Sequence, residues 1–125
     1  MTDETTALLI RARGFIVRGW CRNADAKDET GQAVHAGSPE AVAWCAYGAL
    51  KAAGSYVSLA AVLRLERAIG GGSGFGEGIG RFNDLQQTVE PVLAAFDRAI
   101  AAGGTTAAAP PPWARIAEAG DSDAR

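Results

Sequence analysis

Ser38-Pro39-Glu40-Ala41-Val42-Ala43-Trp44-Cys45-Ala46-Tyr47-Gly48-Ala49-Leu50 is the stretch on which the fold turns. A hydroxyl that can cap, a proline at the first helical position and an acid beside the positive helix pole together mark a helix start. They predict a helix over residues 38–53, closed by Gly54. Ala41, Cys45, Gly48, Ala49 and Ala52 would share one side of it, where small side chains let a neighbouring helix come close. Trp44 and Lys51 lie beside Gly48, so the indole would cover that seam.

Before this stretch, residues 22–37 are polar and lack any helical repeat of apolar positions, which predicts a loop with a turn near residues 28–31. Residues 4–20 carry Leu8, Ala12, Phe15, Ile16 and Gly19 at the spacing of one helix face. Arg11, Arg18 and Arg22 recur on the other side, as a solvated face or as a docking surface for anions. After the quoted stretch, Ser55 is the expected cap of a helix whose apolar face is Leu59, Val62, Leu63, Leu65 and Ile69. Residues 70–80 form a glycine-rich hinge, read as neither strand nor helix. Thr88 opens the cleanest helix, with Val89, Val92, Leu93, Phe96 and Ile100 in register, Pro91 tolerated in its first turn and Gly103-Gly104 at its end. The expectation is therefore all-α: a single small bundle of about four helices over residues 1–104, with a long polar loop and a glycine-rich hinge. An alanine- and proline-rich flexible tail, residues 105–125, would follow and could dock through Trp113.

Composition agrees with one domain: 125 residues, 48% hydrophobic and 21% charged. A formal charge of -2 removes the bulk electrostatic argument for nucleic acid. Asp3 and Glu4 stand where a secretory signal would carry basic residues, and no apolar run approaches the roughly 20 residues of a membrane span. A cytoplasmic protein is expected, with neither a membrane nor nucleic acid as partner.

Both cysteines and two of the three tryptophans fall in two identical dipeptides, Trp20-Cys21 and Trp44-Cys45. Clustering of rare residues points to one shared site or seam. In a reducing compartment the cysteines are expected as free thiols. Cys45 as a nucleophile would need His35 as base and Asn83 or Asp84 to orient it, but two turns into the predicted helix it is far from the pole that lowers a thiol pKa. Cys21, Cys45, His35 and Asp84 offer zinc-ligand types without the close pairing of zinc sites, so neither metal nor cofactor is expected. Residues 70–80 hold neither G-x-G-x-x-G nor a P-loop. Asn83-Asp84, between Phe82 and the last helix, reads as a turn or cap, or as polar lining of a pocket beside the tryptophans. The candidate ligand pocket is therefore Trp20, Cys21, Trp44, Cys45, Asn83 and Asp84.

Arg18-Gly19-Trp20-Cys21, Ala43-Trp44-Cys45-Ala46-Tyr47-Gly48-Ala49-Leu50, Phe82-Asn83-Asp84 and Val92-Leu93-Ala94-Ala95-Phe96-Asp97-Arg98-Ala99-Ile100 together resemble an uncharacterised bacterial family of small proteins of unknown function. That family has Gly-Trp-Cys, Trp-Cys-Ala-x-Gly-Ala-Leu and Trp-Asn-Asp elements and a final amphipathic helix. The likeness covers residues 7–101 and departs at Phe82, where the family implies tryptophan, and in the glycine hinge, which looks like an insertion. It implies which residues belong together and no activity.

Two functions follow from the residues. The first is a helical interaction or regulatory module, binding another protein or a second copy through an apolar seam on the first and last helices or through a docked Trp113 tail. The alternative is a small-ligand-binding protein or enzyme built on the six-residue pocket. DNA regulation through Arg11, Arg18 and Arg22 ranks last.

Overall fold

Ser38 caps a turn and no more. Its Oγ accepts the Glu40 N–H at 3.1 Å and its carbonyl accepts the Ala41 N–H at 3.1 Å. The next amide, Val42 N–H, donates instead to the Lys27 carbonyl at 2.9 Å, and the chain goes on as a strand. The computed structural model describes residues 3–54, 57–70 and 77–104. Within them the elements are α1 (Glu4–Arg18), β1 (Ala26–Lys27), β2 (Ala33–Val34), β3 (Ala43–Trp44), α2 (Ala46–Ala53), α3 (Leu59–Ile69), α4 (Glu77–Leu85) and α5 (Glu90–Gly104). The fold is thus mixed α/β, five helices with a three-stranded antiparallel sheet among the described residues, and the all-α expectation of about four helices is corrected.

β1 is the central strand, in the order β2-β1-β3, with Ala26 opposite both Val34 and Trp44 and Lys27 opposite Ala33 and Ala43. The polar loop therefore holds two strands. Its predicted turn is the β1–β2 connection: Gly31 N–H reaches the Asp28 carbonyl at 2.9 Å with φ 89°, and Asp28 N–H reaches the Gln32 carbonyl at 2.9 Å. The Thr30 hydroxyl and the Gln32 and Thr30 amides all donate to the Asp28 carboxylate and hold its pKa below the ordinary value.

Asp3 Oδ1 caps α1 by accepting the Thr6 N–H at 2.6 Å. The helix stops at Arg18, short of the predicted end, and Gly19 is extended. Ser58 caps α3 through the Ala61 N–H at 3.2 Å, while Ser55 lies outside the described residues. Gly70 ends α3 in the left-handed region that favours glycine, φ 108°. Helix α4 begins at Glu77 inside the predicted hinge, of which residues 71–76 lie outside the described residues. So do residues 105–125, with Trp113.

The helices bury Leu9, Ala12 and Ile16 of α1, Ala49 and Leu50 of α2, Val62 and Leu65 of α3, Ile79 of α4, and Val92 and Phe96 of α5 in one core. Each large side chain so buried contributes about 1.5–3 kcal/mol. The α5 face follows its sequence period, Val89, Leu93 and Ile100 packing around Val92 and Phe96. Leu59 does not join the predicted face of α3; it is 61% exposed at the helix start. Among the described residues no helix is long and apolar enough to cross a membrane.

Candidate functional site

The two Trp-Cys elements meet through their backbones. Trp44 N–H donates to the Gly19 carbonyl at 3.0 Å and Cys21 N–H donates to the Trp44 carbonyl at 3.2 Å, which makes Trp20 and Trp44 partners in a parallel bridge on the outer edge of β3. Two glycines permit this approach. A Cβ on Gly19 would overlap the Val42 carbonyl, and a Cβ on Gly48 would overlap the Asp25 carbonyl. What closes on Gly48 is thus the Asp25 backbone, where the sequence suggested an indole.

Asn83, fully buried on α4, ties these segments together. Its Oδ1 accepts the Trp20 indole N–H at 2.7 Å and the Ala46 N–H at 2.9 Å. Its Nδ2 donates to the Cys21 carbonyl at 3.1 Å and to Asp84 Oδ1 at 3.1 Å. Two donors and two lone pairs are the whole capacity of a carboxamide, and all are used. Asp84 Oδ1 also accepts the Asn23 N–H at 2.8 Å, Asn23 taking the left-handed φ of 68° that asparagine tolerates. Asn83-Asp84 is therefore neither turn nor local cap. It is helical, and Asn83 satisfies the first amide of another helix, α2, from across the structure.

Cys45 stands at the N-cap of α2, where its Sγ accepts the Gly48 N–H at 3.2 Å, and not two turns inside a helix. Burial nevertheless pushes its pKa up, against the opposing pull of that N–H. Cys21 donates to the Ala24 carbonyl at 3.6 Å, and burial, with Cys45 close by, pushes its thiol up to about 11. Both are free, buried thiols, protonated at neutral pH, when thiolate is the nucleophilic form. Trp44 is buried, its indole donating to the Ala36 carbonyl at 2.9 Å and its ring 4.8 Å from that of Phe15. Arg18 lies over both rings, at 5.4 Å and 5.5 Å. Trp20 is half-buried under Arg22, 5.9 Å away, whose Nη1 donates to the Gln86 carbonyl at 2.8 Å.

All six candidate residues are thus brought into one cluster, whereas His35 is exposed. Among the described residues no three His, Cys, Asp or Glu side chains are placed to hold a metal ion. Sequence reasoning passed over Asp25, whose carbonyl takes the Cys45 N–H at 3.1 Å and whose carboxylate takes Lys51 Nζ at 2.6 Å, the bond that raises the Lys51 pKa. The signal that could have found it is Gly48, a glycine inside a helix that demands a close backbone neighbour. A cleft of about 510 Å³ lies elsewhere, lined by Glu4, Thr5, Leu8, Arg11, Ala53 and Ser58.

No curated protein and no solved structure matches the chain. Residues 1–102 match a family of unknown function, DUF6197, a span that takes in every element from α1 into the last turn of α5. The chain belongs to that family.

Proposed function

We propose that this protein is a small cytoplasmic interaction module whose recognition surface is the outer face of α1. The seam between the first and last helices, expected from sequence to be that surface, is core: α1 and α5 bury their apolar faces against each other. The carrying observation lies on the opposite side of α1. Ile10 and Val17, one heptad apart, are 48% and 61% exposed with Gly14 open between them, and Val42, whose carbonyl abuts Gly19 beyond the helix end, is 46% exposed. Arg18 follows Val17 at the end of this strip and Arg22 lies beyond the helix, and among the described residues neither has a carboxylate partner. A strip of aliphatic side chains beside uncompensated guanidinium groups complements a partner segment with apolar residues flanked by acids.

The six-residue cluster supports this reading by what it does internally. Asn83 offers no free polar atom to a ligand, since its four hydrogen bonds all end within the protein. Its role is to hold the start of α2, the edge of β3 and the Trp20 segment as the rigid base from which α1 is presented.

The test compares the wild-type chain with an Ile10→Asp/Val17→Asp variant as bait in native lysate, with photo-crosslinkers placed at Gly14. The expected result is a protein crosslinked to α1 in the wild type, lost in the variant and weakened by salt. A chain that stays monomeric and captures nothing dependent on Ile10 and Val17 contradicts the reading.

A further inference from the structure

Cys21 and Cys45 are two buried thiols that the backbone makes neighbours. In the parallel bridge Trp20 is paired with Trp44, so the next residue on each segment is its cysteine. Parallel strands lie about 4.8 Å apart at a bridge, so two residues one step beyond it start from within the Cα separation of about 4.4–6.8 Å that a disulfide spans. Past the bridge the chain wraps around Cys45: Cys21 Sγ donates to the Ala24 carbonyl, and the adjacent Asp25 carbonyl accepts the Cys45 N–H at 3.1 Å. The Cys45 thiol accepts the Gly48 N–H on the α2 side of the same contact, where Gly48 abuts the Asp25 carbonyl. After burial, the charge on Cys45 is the next cause that raises the pKa of Cys21.

We infer that Cys21 and Cys45 form a site of reversible disulfide modification, oxidised by exchange with small disulfides such as glutathione disulfide. The Cys21 thiolate, next to exposed Arg22 and Asn23, attacks one sulfur of glutathione disulfide and expels one glutathione thiolate. The Cys45 thiolate then attacks the Cys21 sulfur of the mixed disulfide and expels the second glutathione. The two protein thiols lose two electrons and two protons, and glutathione disulfide becomes two glutathione thiols. The bond would staple the Trp20-Cys21 segment to the N-cap of α2 and close the loop that contains the sheet.

The test incubates the folded full-length chain with glutathione disulfide and follows it by intact mass, by peptide mapping and by thermal melting. Expected are the loss of two hydrogen atoms, a Cys21–Cys45 linked peptide in a monomer, and a melting temperature raised by several degrees and restored by reductant. The rate should climb about tenfold per pH unit beyond pH 9, where an exposed thiol levels off, because burial keeps these thiols protonated. Cys21→Ser and Cys45→Ser, or the alanine variants if serine does not fold, should stop at a glutathione adduct on the remaining cysteine. Glutathione adducts without the internal bond in the wild type, a disulfide dimer, or a folded chain that stays reduced under conditions that oxidise the urea-unfolded chain would each overturn the inference.

Discussion

The surroundings of Asn83 and the outer face of α1 are opposites. Around Asn83, four polar bonds converge on one side chain with no exposure at all, and every segment they touch is fixed by another. On α1, aliphatic side chains stand in water, and Arg18 at its end lies over an aromatic ring with no acid paired to it among the described residues. The contrast shows that polarity does not locate function by itself. The polar groups gathered around Asn83 bond one another and the backbone, and the proposed recognition surface is largely apolar.

The strongest way to break this contrast is Asn83→Ala. It strands the Trp20 indole N–H, the Ala46 amide and the Cys21 carbonyl together, and should destabilise by about 3–5 kcal/mol in urea melts. A loss below about 1 kcal/mol would mean that Asn83 is exposed and free to bind. Gly48→Ala and Gly19→Ala come next. Each sets a methyl group against a carbonyl, and a destabilisation of about 1–3 kcal/mol is expected in the same melts.

The thiols give a pH signature. Both have folded pKa values raised above the unfolded ones, so the folded state keeps its thiol protons after the unfolded chain has lost them. The thiols' contribution to stability should be level below pH 9 and be lost as the pH rises from about 9 towards 11, and this part of the fall should vanish in Cys21→Ala/Cys45→Ala. An alkaline limb identical in wild type and double variant would place the thiols in water. The smallest effect on stability belongs to Ile10→Asp/Val17→Asp, expected within about 0.5 kcal/mol of wild type despite the loss of partner binding. A large stability loss would make that face part of the core.

How much of this was legible in the sequence depends on how far each signal extends. The α5 face could be read because Val89, Val92, Phe96 and Ile100 recur over about three turns, and α1 because Leu8, Ala12 and Ile16 recur over about two. The sheet could not. Its strands are two residues each, too short for an alternation to show, and what holds Val42 to Lys27 is a backbone bond that leaves no mark in side-chain pattern. The cap signal at Ser38 was real but local, and extending it into a helix misplaced Cys45 by two turns. Trp20, Cys21, Trp44 and Cys45 could be gathered because tryptophan and cysteine are rare, and Asn83-Asp84 as a polar pair beside Phe82; that Asn83 would saturate itself on the backbones of Cys21 and Ala46 depends on tertiary geometry alone.

The central claim is that the Trp-Cys elements are locked by a saturated, water-free asparagine. Hydrogen exchange of the Trp20 indole N–H and the Ala46 amide, followed by NMR on the native chain, tests it most directly. Both protons should exchange together, and only through unfolding that removes most of the structure. Exchange within minutes, while the α5 core amides stay protected, would contradict the account.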